Sequence, residues 1–181
     1  VTVTTLDPRT ALVVIDLQKG IAGSPQAAPV VAKAAALADA FRAQSLPVVL
    51  VNVTGGAPGR TERPRPGGER PADWAELLSE LGDGIRITKQ TWGAFHGTRL
   101  HDSLQAEGVT QIVLAGIATS KGVESTARAA HEHGYNVAVA TDAVADADPD
   151  AHANALARVF PALGETGTTA EILDLLEASG R

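Results

Sequence analysis

Five short stretches of the chain are continuously apolar rather than alternating. Residues 11–15 read ALVVI, 47–53 PVVLVNV, 111–118 QIVLAGIA and 136–140 NVAVA, with a weaker one at 84–88. Such runs fit strands buried on both faces, as in a sheet with helices above and below. Between them lie segments with helical spacing. Residues 27–44 place Val31, Ala35, Leu37, Ala38 and Phe41 near one face. Residues 72–81, 100–107, 121–133, 151–160 and 170–178 are predicted helices too. Gly108 and Gly134 close two of them as C-terminal caps, and Pro161 is expected to stop a third. A short extended piece is expected near Glu165. Alternating strands and helices predict an α/β fold: three layers, a mostly parallel sheet and helices on both faces. The 181 residues fit one domain, large enough to bury about 70% of the unfolded surface.

In such a fold the site forms at the C-terminal ends of the strands. The first strand ends at Asp16, with Gln18 just beyond. The third ends near Lys89, followed by Trp92, Phe95 and His96. The fourth runs into AGIATSKGVEST, residues 115–126, and the fifth ends at Asp142. Each of these also has an ordinary reading. Asp16 serves equally as a turn cap or a site carboxylate, and a lysine after a strand is commonly just solvated. Together they are more informative, because a carboxylate and an ammonium at adjacent strand ends hold each other and face one cleft. The small-residue turn after the fourth strand is either a plain strand-to-helix connection or a set of amides aimed at an anion. Between the second strand and the predicted helix at 72, residues 54–71 hold five glycines, four prolines and four arginines. That composition propagates neither helix nor ladder, so a long loop is expected. Its arginines (Arg60, Arg63, Arg65, Arg70) are mostly solvated loop charge, with one or two able to fork onto a carboxylate.

Composition narrows the chemistry. There is no cysteine, which removes disulfides, thiolate metal sites and a thiol nucleophile. A net charge of −6 argues against nucleic acid and anionic membrane as partners. No apolar run approaches the ~18 residues of a membrane span. Residues 1–10 lack the basic start and apolar stretch of a signal peptide, so the cytoplasm is the expected location. The five histidines form no convincing metal set, and His131 and His133 do not share a helix face. No GxSxG elbow, Walker A loop, GxGxxG or HExxH occurs.

The stretches ITKQTWGAFHGTRL (87–100) and VLAGIATSKGVESTARAAHEHGY (113–135), in this order after TALVVIDLQ (10–18), resemble the isochorismatase-like hydrolases. That family includes nicotinamidases, N-carbamoylsarcosine amidohydrolase and true isochorismatases. The resemblance runs from Thr10 to Leu156 and implies a six-stranded parallel sheet. Most members use an Asp–Lys–Cys triad. By resemblance Asp16 and Lys89 take the first two roles, and Gly122 falls where the cysteine would be. A thioester route is thereby closed. True isochorismatases are similar in carrying glycine there; they hydrolyse a vinyl ether, whose protonation at carbon leaves a centre that water attacks unaided. Asp16 would be the acid, Lys89 its anchor, and Gly122 would supply room. Gln18, Trp92, Phe95, Ile117, Ala118, Thr119 and Ser120 would line the site, and Arg60 or a neighbour would bind a substrate carboxylate. The resemblance also implies a cis peptide at Ile117–Ala118. Residues 52–56 have no Asp-x-His, the metal motif of nicotinamidases, so neither metal nor cofactor is expected. Residues 55–74, GGAPGRTERPRPGGERPADW, depart from the acidic, aromatic stretch of true isochorismatases, which leaves the substrate open. One physical difficulty remains. A nearby ammonium lowers a carboxyl pKa, whereas a general acid needs it raised, so either burial outweighs the ion pair or a small protonated fraction suffices. The expected partner is a small-molecule substrate, with assembly into a homo-oligomer. Two other readings stand beside this one: a degenerate member that binds a small ligand or a partner without turnover, and an amidase using water, Ser120 or Thr119.

Overall fold

The structure is a computed structural model that describes residues 2–63 and 68–179; Arg65 lies outside them. Six strands form one sheet: β1 (Thr10–Ile15), β2 (Val48–Val53), β3 (Ile85–Lys89), β4 (Gln111–Ile117), β5 (Asn136–Ala145) and β6 (Glu165–Gly167). Their order is β3-β2-β1-β4-β5-β6 and every pairing is parallel. Alternate residues of β1 serve opposite layers. Leu12 and Val14 pack with Val30, Ala34, Leu37 and Phe41 of α2 (Ala28–Ala43) and with Ile172 and Leu176 of α7 (Thr169–Ser179). Ala11, Val13 and Ile15 pack with Leu100 and Leu104 of α3 (Leu100–Ala106) and with Ala127 and Ala130 of α4 (Glu124–Glu132). Both faces are covered, which is why the strand is apolar throughout.

Four differences from the sequence reading have physical causes. Residues 72–81 are not a helix. Leu78 N–H donates to the Leu17 carbonyl (3.0 Å), while the Glu76 and Trp74 carbonyls accept from Lys19 (2.8 Å) and Gly20 (2.9 Å). The backbone groups a helix would use are committed to the segment after β1, including the short α1 (Lys19–Ala22), and only a 3-10 turn survives at Ser79–Leu81. Strand β5 does not stop at Asp142, because β4 continues beside it through Gly116↔Val144 and Ile117↔Ala145. The helix after β5 starts earlier, at Pro149, with Asp148 capping the Ala151 N–H at 3.1 Å. It also passes through Pro161: α5 (Pro149–Asn154) widens into a π turn at Ala155–Val159 and resumes as α6 (Phe160–Leu163). A wide turn ahead of a proline relieves the ring's clash with the preceding carbonyl. No helix among the described residues is long and apolar enough to cross a membrane.

Candidate active site

The register fixes where the chemistry collects. Ile15 lies opposite Val51 of β2 and Gly116 of β4, and Val53 lies opposite Lys89 of β3. Asp16 follows immediately, its N–H bound to the Val51 carbonyl at 2.9 Å and its φ at +54°. This left-handed backbone is uncommon for a residue with a side chain, though aspartate tolerates it better than most. The chain turns sharply there. The Lys89 ammonium then donates to Asp16 Oδ2 at 2.8 Å and to the Thr91 carbonyl at 3.0 Å. Lys89 is 1% exposed and Asp16 5%, so this ion pair is almost wholly buried. Asp16 Oδ1 is buried without a hydrogen-bond partner among the described residues.

Burial pushes the Asp16 carboxyl up to about 6, against the opposing pull of the Lys89 charge and hydrogen bond. Desolvation thus outweighs the ion pair, which is the condition a general acid needs. Gly122 faces the same carboxylate. A Cβ there would stand 3.5 Å from Asp16 Oδ2, 3.3 Å from the Trp92 carbonyl and 2.9 Å from Ile15 Cγ2. The backbone is therefore drawn tighter than a side chain comfortably allows.

The peptide Ile117–Ala118 is cis, and Ile117 and Ala118 are half-buried at the end of β4. They lead into a π turn at Thr119–Val123. Ser120 donates through both its N–H (2.8 Å) and hydroxyl (2.6 Å) to Asp146 Oδ2. Burial tends to raise Asp146, but hydrogen bonds from the Ser120 side chain and from the Asp148 and Ser120 amides hold it below the usual carboxylate range. Thr119 is fully buried, its hydroxyl 2.8 Å from His152 Nδ1. The N–H groups of Lys121 and Val123 both go to the Ala118 carbonyl. Most of the turn is thus tied to protein partners.

The remaining candidates separate. Trp92 is 60% exposed beside Gly122. Phe95 is buried, its ring 5.0 Å from His133 and 6.0 Å from Tyr135, in the layer of α3 and α4. Gln18 is fully buried and bound to main chain: Nε2 donates to the Val53 (3.0 Å) and Trp74 (3.2 Å) carbonyls, and Oε1 accepts from Val53 N–H (2.8 Å). It joins the ends of β1 and β2 to the loop. Arg60 is exposed in that loop, whereas Arg70 stacks on Trp74 at 3.9 Å and donates to the Thr54 carbonyl. The sequence reading missed Asp146, His152 and Thr126, which organise the turn. Asp146 stood in the acidic stretch after the fifth apolar run, and only an extended β5 brings it to the turn. Among the described residues no three His, Asp or Glu side chains converge as a metal set.

A six-stranded parallel sheet with helices on both faces is the α/β architecture that the resemblance to isochorismatase-like hydrolases implies. Residues 10–171 match the isochorismatase domain family, and the chain belongs to that family of hydrolases. It is 45% identical over 176 residues to an uncharacterised isochorismatase family protein, YwoC, of Bacillus subtilis, covering 92% of this chain and 93% of that one. A solved isochorismatase family protein from Burkholderia thailandensis superposes with a TM-score of 0.91 at 43% identity, covering 96% of this chain and 98% of the other. A shorter match, 41% identical over 83 residues, covers 43% of this chain and 42% of a probable inactive nicotinamidase of Arabidopsis thaliana.

Proposed function

We propose that the protein hydrolyses a small carboxylated vinyl ether of the isochorismate type by acid catalysis, without a protein nucleophile. The observation that carries this reading is the Asp16 carboxyl, raised to about 6 by burial and held at Oδ2 by Lys89. By the family resemblance, Gly122 falls where the cysteine of the triad would be, and a Cβ there would lie 3.5 Å from Asp16 Oδ2. In the reaction, the Asp16 carboxyl gives its proton to the terminal vinyl carbon. The C–H bond forms and the ether carbon becomes an oxocarbenium centre. Water adds there and returns a proton to Asp16. The hemiketal then collapses, breaking the C–O bond to release pyruvate and the ring alcohol. Lys89 keeps Oδ2 occupied, so the proton resides on the oxygen that has no protein partner. Trp92 supplies an aromatic wall, and Arg60 a charge for a substrate carboxylate.

A second reading is favoured by one observation, the near-complete burial of the pair. A member that has ceased to turn over would also keep Asp16 and Lys89 sealed, and one partial relative is described as a probable inactive nicotinamidase. An amidase using Ser120 or Thr119 has less support, because Ser120 is bound to Asp146 and Thr119 is fully buried. The test is release of pyruvate from isochorismate by the purified protein, with Asp16→Asn as control. Release that is lost in D16N supports the first reading. Release at the uncatalysed rate by both proteins overturns it.

A further inference from the structure

Thr126 sits in the first turn of α4, fully buried, four residues after Gly122. Its hydroxyl donates to the Gly122 carbonyl at 2.7 Å, an ordinary bond for a helical threonine. The second bond is not ordinary. The same oxygen accepts the N–H of Ala94 at 3.0 Å, from a segment 32 residues earlier in the chain. One buried hydroxyl therefore ties two pieces of backbone that flank Asp16. Gly122 is the first of these pieces. The second is the segment after β3, whose Thr91 carbonyl accepts from Lys89 and whose Trp92 carbonyl lies 3.3 Å from the Gly122 Cβ position. Gly93 continues the contact, its Cβ position 3.5 Å from Ser125 Cβ. Trp92 is 60% exposed, whereas Ala94 is fully buried and Phe95 packs into the layer of α3 and α4, so the segment is anchored at its Ala94 end and Thr126 fixes that end against Gly122.

We propose that Thr126 is a positioning residue whose hydroxyl clamps the Trp92–Ala94 segment against Gly122 and so keeps water away from the Asp16 carboxyl. This rests on the reading of Asp16 as the working acid. A valine at 126 keeps the shape and removes both bonds, leaving the Ala94 N–H and the Gly122 carbonyl without their buried partner. The Trp92–Gly93 stretch then loosens from Gly122 and water reaches Asp16. Lys89, the charged group facing Asp16, stays in place.

The test is the titration of the Asp16 carboxyl carbon by NMR in wild type, Thr126→Val and Thr126→Ser, with amide exchange at Ala94 followed in the same samples. The expected wild-type midpoint is about 6. T126V is expected to move it down toward the ordinary carboxylate range, with Ala94 exchange at least tenfold faster. T126S, which restores the hydroxyl, is expected to return both to wild-type behaviour. An Asp16 midpoint unchanged in T126V overturns the proposal even if exchange quickens, because Thr126 would then be structural only. A wild-type midpoint already in the ordinary range overturns it as well. If T126V does not fold, Thr126→Ala serves in its place under the same outcomes. The titration needs no substrate, so failure of wild type to release pyruvate would overturn the hydrolase reading and leave this result standing separately.

Discussion

Asp16 carries the account at the scale of single residues. Its carboxyl titrates near 3.8 in the unfolded chain and about 6 in the folded one. Between those values the folded state binds the proton more tightly, so stability falls as pH rises through the window and is lowest above it. A difference of this size corresponds to about 3 kcal/mol. Denaturant titrations from pH 4 to 7 are expected to show this loss in wild type and not in Asp16→Asn; parallel curves for the two proteins would refute the burial argument. Lys89→Met removes the pull that opposes burial, so the Asp16 midpoint is expected to rise above 6. It also leaves any ionised Asp16 without its partner, a loss of about 3–5 kcal/mol at pH 8 and less at pH 5. Gly122→Ala drives a Cβ to 2.9 Å from Ile15 Cγ2, so a cost of about 1–3 kcal/mol is expected in denaturant unfolding. The Asp16–Lys89 pairing was legible in the sequence because each residue abuts the end of a buried apolar run. Gln18 and Phe95 look alike in sequence to residues lining a site. Only packing shows that one serves the main chain and the other the core.

Among the elements, the turn between β4 and α4 depends on a residue from outside itself. Asp146 takes two bonds from Ser120 and one from the Asp148 N–H. Replacing Asp146 by Ala leaves three donors to find water, whereas Ser120→Ala removes one bond and keeps the amide contact. D146A is expected to cost about 1–3 kcal/mol and S120A about half of that, by chemical denaturation. Equal losses would mean that the hydroxyl, not the carboxylate, organises the turn. The strands were readable because burial on both faces leaves a continuous apolar signature. Residues 72–81 were not, since their apparent helical character is overridden by pairing with residues 17–20, a contact across more than fifty residues that no local pattern records.

For the whole molecule, the helical layer of α2 and α7 is joined to the sheet by a polar strut as well as by apolar packing. Asp142 on β5 pairs with Lys33 of α2, and its other oxygen accepts the N–H (2.7 Å) and hydroxyl (2.8 Å) of Thr169 at the start of α7. The sequence suggested Asp142 as a strand-end residue near the cleft; the longer β5 instead gives it to this junction. Truncation to Ala is therefore expected to lower stability by about 1–3 kcal/mol in thermal unfolding while leaving any turnover intact. A loss of turnover at unchanged stability would return Asp142 to the site.

The pH dependence of kcat/KM for pyruvate release, in wild type and in Lys89→Met, separates Asp16 from any other proton donor. If a buried Asp16 is the acid, the wild-type profile falls through about pH 6, and the falling limb moves to higher pH when the ammonium is removed. A profile that is flat across pH 5–8, or a limb that stays in place in K89M, would contradict Asp16 as the proton donor.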